Sequence, residues 1–180
     1  MTSQADVATD VNLNGGRFLI RPLVETDLPR LEWDGEFKHF RKLYRQHFQN
    51  SCSGSTLIFI AETETGHLAG QVFVLLYSRE KSIADGIKRA YIFSFRVKPQ
   101  YRKIGLGTSI MKFTEDNLLN RGYSEIRLNV AKENLEALHL YKTLGYRIIG
   151  SDPGIWNYQD HDGVWQSVRE PAWQMLKLLK

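Results

Sequence analysis

Apolar residues recur along this chain with two periods, and each change of period marks a change of element. Over 17–24, Phe18 and Ile20 alternate with Leu19 and Arg21, a short strand that Pro22 ends or confines to an edge. Residues 55–63 and 68–78 are two further strands. The turn Glu64-Thr65-Gly66-His67 joins them as a hairpin, and Gly70 permits a bulge or close approach. Over 91–97, aromatic and aliphatic groups alternate with Ser94 and Arg96 until Pro99 stops the run, and the polar stretch 79–89 with Gly86 reads as a longer hairpin loop. Three antiparallel strands therefore precede residue 99.

Helical spacing appears at 36–50, where Phe37, Phe40, Leu43, Tyr44 and Phe48 fall on one face. It returns from Gly105 to about 119, with Ile110, Met111, Phe113 and Leu118 inward and Asn120-Arg121-Gly122 as the stop. A third helix runs over 133–145 on Ala137, Leu140, Tyr141 and Leu144, and Thr26-Asp27-Leu28-Pro29 reads as a helix start capped by Thr26. Strands at 126–130, 146–149 and 172–179 complete the set. The strand, helix, strand run over 91–130 is one βαβ-sized unit, so its two strands lie parallel in a sheet otherwise built from hairpins. The expected class is a mixed α/β domain with flanking helices around a central sheet of six to seven strands.

Composition narrows the setting. A chain of 180 residues fits one domain. With 42% hydrophobic residues and no apolar run of bilayer length, it is expected to be soluble, with no membrane partner. Residues 1–16 are polar, lack the basic start and apolar block of a secretory signal, and read as a flexible tail ahead of a single domain over 17–180. The lone cysteine, Cys52, has no disulfide partner and belongs to no metal-spacing pattern, which points to a reducing cytoplasm and to no metal site. A net charge of +4 suits an anionic cofactor as well as nucleic acid, but Lys38, Arg41, Lys42 and Arg45 share one helix without interleaved exposed aromatics, so nucleic acid is set aside.

The chemistry centres on the basic turn after residue 97. Gly105 and Gly107 open a helix, and small side chains there leave the first-turn amides uncovered at the positive end of the helix dipole. Arg102 and Lys103 add charge, so the turn is an anion site suited to a phosphorylated cofactor. A dinucleotide fingerprint would need a third glycine where Ile110 stands, and a nucleotide P-loop would need a Gly-Lys-Ser/Thr ending, which is missing. What remains is Arg-x-x-Gly-x-Gly between a strand and a helix, on Arg102, Gly105 and Gly107. Downstream stand Asn134, Ala137, Leu140-Tyr141 and Gly145-Tyr146. On these residues, and on the order of elements from about 18 to 179, the chain resembles the GNAT superfamily of N-acetyltransferases.

That resemblance implies acetyl-CoA as donor. It implies that backbone amides over 102–108, that is Arg102, Lys103, Ile104, Gly105, Leu106, Gly107 and Thr108, hold the CoA pyrophosphate, with Asn134 further along, and that the strand near Phe95 and Val97 pairs with pantetheine. An amine would attack directly, with Tyr141 protonating the expelled thiolate. Seven residues, two helical turns, separate Tyr141 from Asn134, so both project from one face, although Tyr141 also fits the apolar stripe of a packed core tyrosine. Spacing turns His139 away from Tyr141. A general base is not singled out among Glu32, Asp34, Glu36, Asp160, His161 and Asp162, because the 91–97 strand carries no carboxylate. The acceptor, an amine-bearing small molecule or peptide, is expected between 33–44, 79–89 and 156–165. Trp156, Tyr158 and Trp165 are open to three uses: a pocket wall, a homodimer seam, or packing over the sheet. The alternative function is a non-catalytic acyl-CoA-binding module of the same fold.

Overall fold

In the computed structural model, which describes residues 8–180, the seven expected strands form and three more join them. The strands are β1 (Thr9–Leu13), β2 (Gly16–Pro22), β3 (Thr56–Thr63), β4 (Leu68–Leu75), β5 (Arg89–Val97), β6 (Glu125–Ala131), β7 (Arg147–Asp152), β8 (Ile155–Gln159), β9 (Trp165–Arg169) and β10 (Ala172–Leu178). The α-helices are α1 (Arg41–Cys52), α2 (Leu106–Asn120) and α3 (Leu135–Thr143). Eight strands make one sheet in the order β1-β2-β3-β4-β5-β6-β10-β7, while β8 and β9 form a separate ribbon. Within the large sheet only β5 and β6 run parallel, as the βαβ spacing requires.

The expected loose tail is partly a strand. Residues 1–7 lie outside the described residues, but Thr9–Leu13 pairs with β2 through Asn14 and Gly15, whose φ values of +47° and +77° are those of a two-residue hairpin turn. Arg17 fixes the hairpin by a paired contact to Asp10, at 2.9 and 2.8 Å. The helix expected at Thr26 is a 3₁₀ segment, Glu25–Gly35, and its N-cap is Val24. Asp27 makes the cap instead of Thr26: it accepts from the Val24 amide at 3.0 Å and from Arg21 at 2.7 Å, and Arg30 also reaches it.

Two cores lie on opposite faces of the sheet, and strand period sorts residues between them. On β3, Phe59 and Ala61 join the α2 side, while Ile58 and Ile60 join a smaller cluster with Leu31, Phe40 and Tyr44 on the α1 side. On β4, Val72 and Val74 face α2, and Phe73 faces α1.

β5 breaks this rule once. From Phe73 to Gln71 is two residues on β4, but their partners Phe93 and Arg96 are three apart, so β5 carries one extra residue, a bulge at Ser94, whose φ is +49°. The extra residue exchanges the faces of everything that follows. Phe95 and Val97 pack on the α2 core, and Arg96 is delivered to the α1 face, where its Nη1 donates to the Tyr44 hydroxyl at 3.3 Å. Among the described residues, no helix is long and apolar enough to cross a membrane.

Candidate active site

The parallel pairing of β5 with β6 ends early. It runs from Arg89 opposite Glu125 to Ile92 opposite Leu128, although β5 continues to Val97 and β6 to Ala131. Beyond the Ser94 bulge the strands part, and the gap is a cleft of about 790 Å³, within the range of small-molecule sites. Phe93–Val97 forms one wall, the end of β6 and the α3 face with Asn134 and Tyr141 the other, and the glycine turn closes one end. The parted edge of β5 leaves backbone groups that no β6 residue pairs.

The glycine turn is built by backbone geometry. Lys103 and Gly105 have φ of +62° and +93°, and Gly105 is the N-cap of α2. Ser109 donates to the Gly105 carbonyl at 3.0 Å, so the amides of Leu106, Gly107 and Thr108 precede the first helical bond and carry the positive end of the dipole. Gly107 differs from Gly105. Its φ is unexceptional, and an added Cβ would lie 3.5 Å from both Phe95 and Leu140, an ordinary contact. Neither chain geometry nor packing demands glycine there. What a larger side chain would fill is the cleft, which fits a bulky anionic ligand lying against the bare backbone.

The other expected residues divide. Arg102, Lys103, Gly105, Gly107, Thr108, Phe95, Val97, Asn134 and Tyr141 all border the cleft. Leu106 is fully buried and Ile104 packs on the same core, so only their backbones are available to a ligand. Arg102 folds back, donating from Nε to the Val97 carbonyl at 2.9 Å, and Lys103 pairs with Glu136 at 3.2 Å. Asn134 caps α3, its Oδ1 accepting from the Ala137 amide at 3.1 Å. Tyr141 is buried at the cleft wall, with its ring 6.3 Å from that of Phe95 and 5.7 Å from that of Tyr146. Burial, reinforced by Tyr91, pushes its phenol above the ordinary value, so the hydroxyl keeps its proton at neutral pH. His139 is exposed, as its spacing from Tyr141 requires, yet it borders the cleft from the rim.

The acceptor end departs from expectation. Residues 79–89 and the β8–β9 ribbon do not border the cleft. Tyr158 packs on Phe40 at 4.8 Å between ring centroids, Trp156 lies 6.0 Å from the same ring, and Trp165 is 68% exposed. Tyr158 and Trp156 thus cover the α1-side cluster, and Trp165 does not. The end is formed instead by Trp33, Glu36, Phe37, Arg96 and Glu170. Trp33 has φ +47°, an outlier for so bulky a side chain, held by burial and by donation from Nε1 to Gln71 Oε1 at 3.1 Å. Of the carboxylates considered as base, Glu32 is paired with Arg41 and Asp160 holds the β8–β9 turn by accepting from the amides of Asp162 and Val164. His161 and Asp162 sit in that same turn, and Asp34 is 99% exposed. Only Glu36 borders the cleft, joined by Glu170, which sequence reasoning did not single out. Arg96 was also passed over, noted only as a polar position alternating with the apolar groups of 91–97. The available signal was a charged group deep in an aromatic strand.

Residues 23–146 match the acetyltransferase (GNAT) family, and the chain belongs to that family. The thialysine N-epsilon-acetyltransferase of Sus scrofa is 36% identical over 85 residues, 47% of this chain and 48% of that protein. The chain spans about half the length of the curated relatives it matches. Among solved structures, the ribosomal-protein-S18-alanine N-acetyltransferase from Escherichia coli superposes with a TM-score of 0.67 over 91% of this chain and 94% of that one, at 23% identity. Spermidine N-acetyltransferase from Vibrio cholerae, in complex with CoA and spermine, does so with a TM-score of 0.64 over 90% and 95%, at 18% identity. These structural likenesses are likenesses of fold.

Proposed function

We propose that this protein transfers an acetyl group from acetyl-CoA to a primary amine. The observation that carries the reading is the convergence, in one cleft, of the bare amides around Gly107, the unpaired edge of β5 and Tyr141. The family and the names of the relatives, which act on amines such as thialysine and spermidine, support it.

Acetyl-CoA supplies the acyl group activated as a thioester. The chain's part is to bind and to manage protons. Amides over 105–108 and the nearby cations neutralise pyrophosphate, with Asn134 steadying the α3 edge that faces them. A backbone N–H on the parted edge of β5 is the donor available to the acyl oxygen as negative charge develops there. As the amine nitrogen, neutral when it attacks, bonds to the acyl carbon and the carbon–sulfur bond breaks, Tyr141 gives its proton to the leaving sulfur and then regains one from solvent. The nitrogen's surplus proton leaves to the solvent at the rim, beside Glu36 and Glu170. No covalent enzyme intermediate is needed, and no nucleophilic side chain of the family's attack is invoked.

Tyr141→Phe tests the assignment. With saturating acetyl-CoA and a panel of amines, kcat for CoA release is expected to fall roughly a hundredfold or more, while CoA affinity is kept. An unchanged kcat removes Tyr141 from the chemistry. Failure of the wild type to release CoA with any amine favours the acyl-CoA-binding module instead.

A further inference from the structure

Arg96 is a mostly buried cation with only neutral partners. Its Nη1 donates to Ser94 Oγ at 2.5 Å and to the Tyr44 hydroxyl at 3.3 Å. Its guanidinium carbon stands 4.3 Å above the centre of the Phe37 ring and 5.5 Å from that of Phe40. Nε and Nη2 form no hydrogen bond to the described residues and are not sealed off. Glu36 and Glu170 feel its charge from the exposed rim, but no carboxylate among the described residues comes within ion-pairing distance. Elsewhere the chain pairs its half-buried arginines: Arg21 with Asp27 and Glu62, Arg89 with Glu125.

Burying a guanidinium is costly unless a counter-charge meets it, and arginine cannot escape by losing its proton. The site is also built. A backbone bulge is needed to bring Arg96 to this face, the guanidinium sits over the Phe37 ring, and two hydroxyls fix one edge, which leaves a planar fork of two donors open to the cleft. The fork is not part of the pyrophosphate cradle: Phe95 and Val97 on either side of it point to the α2 face, whereas Arg96 points to the α1 face beside Trp33 and Phe37.

The geometry points to Arg96 as the recognition residue for a carboxylate on the acceptor, so that the substrate class is an amine that also carries a carboxylate. The inference deepens the acetyl-transfer reading above and rests on it for the identity of the cleft. Two donors in one plane match a carboxylate bidentately, and the neutral surroundings leave the guanidinium's full charge for the ligand. Glu36 and Glu170 at the rim suit the same acceptor's cationic nitrogen as it enters.

The test compares acceptors that differ only in the carboxylate: lysine with cadaverine, ornithine with putrescine, and phenylalanine with phenethylamine. A further pair, the amidated peptides Ala-Glu and Ala-Gln, places the carboxylate on a peptide side chain. The wild type is expected to favour the carboxylated member of at least one pair by about tenfold or more in kcat/KM. The pair that shows the preference tells a free amino acid from an acidic peptide. In Arg96→Gln that ratio should fall to within about threefold of one, through KM, with CoA affinity unchanged. Arg96→Lys, which keeps charge but not the fork, should keep an intermediate ratio and serves if the glutamine variant folds poorly. Absence of any preference in the wild type, or an equal loss for both members of the preferred pair in Arg96→Gln, would overturn the assignment. Calorimetric titration of the same pairs into the CoA complex reads the pocket without turnover. Arg96-dependent carboxylate binding in a protein that releases no CoA would sustain this inference and sink the catalytic one.

Discussion

The two ends of the cleft are made by different means. The donor end is backbone: three amides at the start of α2, two residues in left-handed conformation, and a strand edge left unpaired, all within 95–108. The acceptor end is side chains brought from far apart, with Trp33 from the 3₁₀ segment, Glu36 and Phe37 just after it, Arg96 from β5 and Glu170 from between β9 and β10. A backbone site constrains few side chains and so serves any member of a fold that uses the same donor. A side-chain site can change with single substitutions, which is where selectivity for one acceptor belongs.

The bulge at Ser94 serves both ends, and forcing it out should have the largest effect. Ser94→Val puts a β-branched side chain at φ +49°, and flattening the bulge without shortening the strand would swing Arg96 onto the α2 core and take Phe95 and Val97 off it. Holding valine in the bulge costs about 1–3 kcal/mol of strain and about 1.5–3 kcal/mol more for the lost bond from Arg96 to the Ser94 hydroxyl, a large part of a domain's stability, so urea denaturation should show a midpoint far below that of the wild type. A Ser94→Val variant with wild-type stability would break the account of how the two ends are separated.

Gly107→Val should strike the donor end alone. CoA affinity is expected to fall roughly a hundredfold, the worth of about two charge-assisted hydrogen bonds, with a smaller loss of thermal stability, since the Cβ meets ordinary contacts and only the two γ-carbons must be fitted beside Phe95 and Leu140. Unchanged CoA affinity would refute the cradle.

The smallest effect sharpens the acceptor end. Burial alone would raise the Asp27 carboxyl, but Arg21, the Val24 amide and Arg30 outweigh it and hold it below the usual carboxylate range. Its stabilising contribution is therefore present above the ordinary carboxylate value and is lost as pH falls through the lowered one. Because Asp27 pins the segment that carries Trp33, Asp27→Asn should flatten the acid limb of a melting-temperature profile and raise acceptor KM a few-fold, leaving CoA affinity as it was. An equal acid limb in wild type and variant would show that other groups control it.

Legibility followed the same division. The seven strands and three helices could be read because each has its own period, and the donor end because its signal lies within one turn. The hairpin of β1 was missed although Asn14-Gly15 is a hairpin turn sequence and Val11 and Leu13 alternate with Asp10 and Asn12 ahead of it, since two apolar residues in an otherwise polar stretch are a weak strand signal until they are seen packed on the core. The ribbon of β8 and β9 was read as loop because 151–170 is rich in Gly and Asp, with Asp152-Pro153-Gly154 and Asp160-His161-Asp162-Gly163 leaving only short runs between them.

By itself the sequence determined the order of the elements, the parallel step across 91–130 and the glycine turn, because all of these are set by local periodicity and backbone freedom. Only the tertiary structure decided which side chains meet the acceptor. One extra residue in β5 reverses the faces of the strand, and nothing in the alternation of residues 91–97 announces it: whether Arg96 points at the α2 core or into the cleft depends on the register with β4, which is a property of two strands and not of either one.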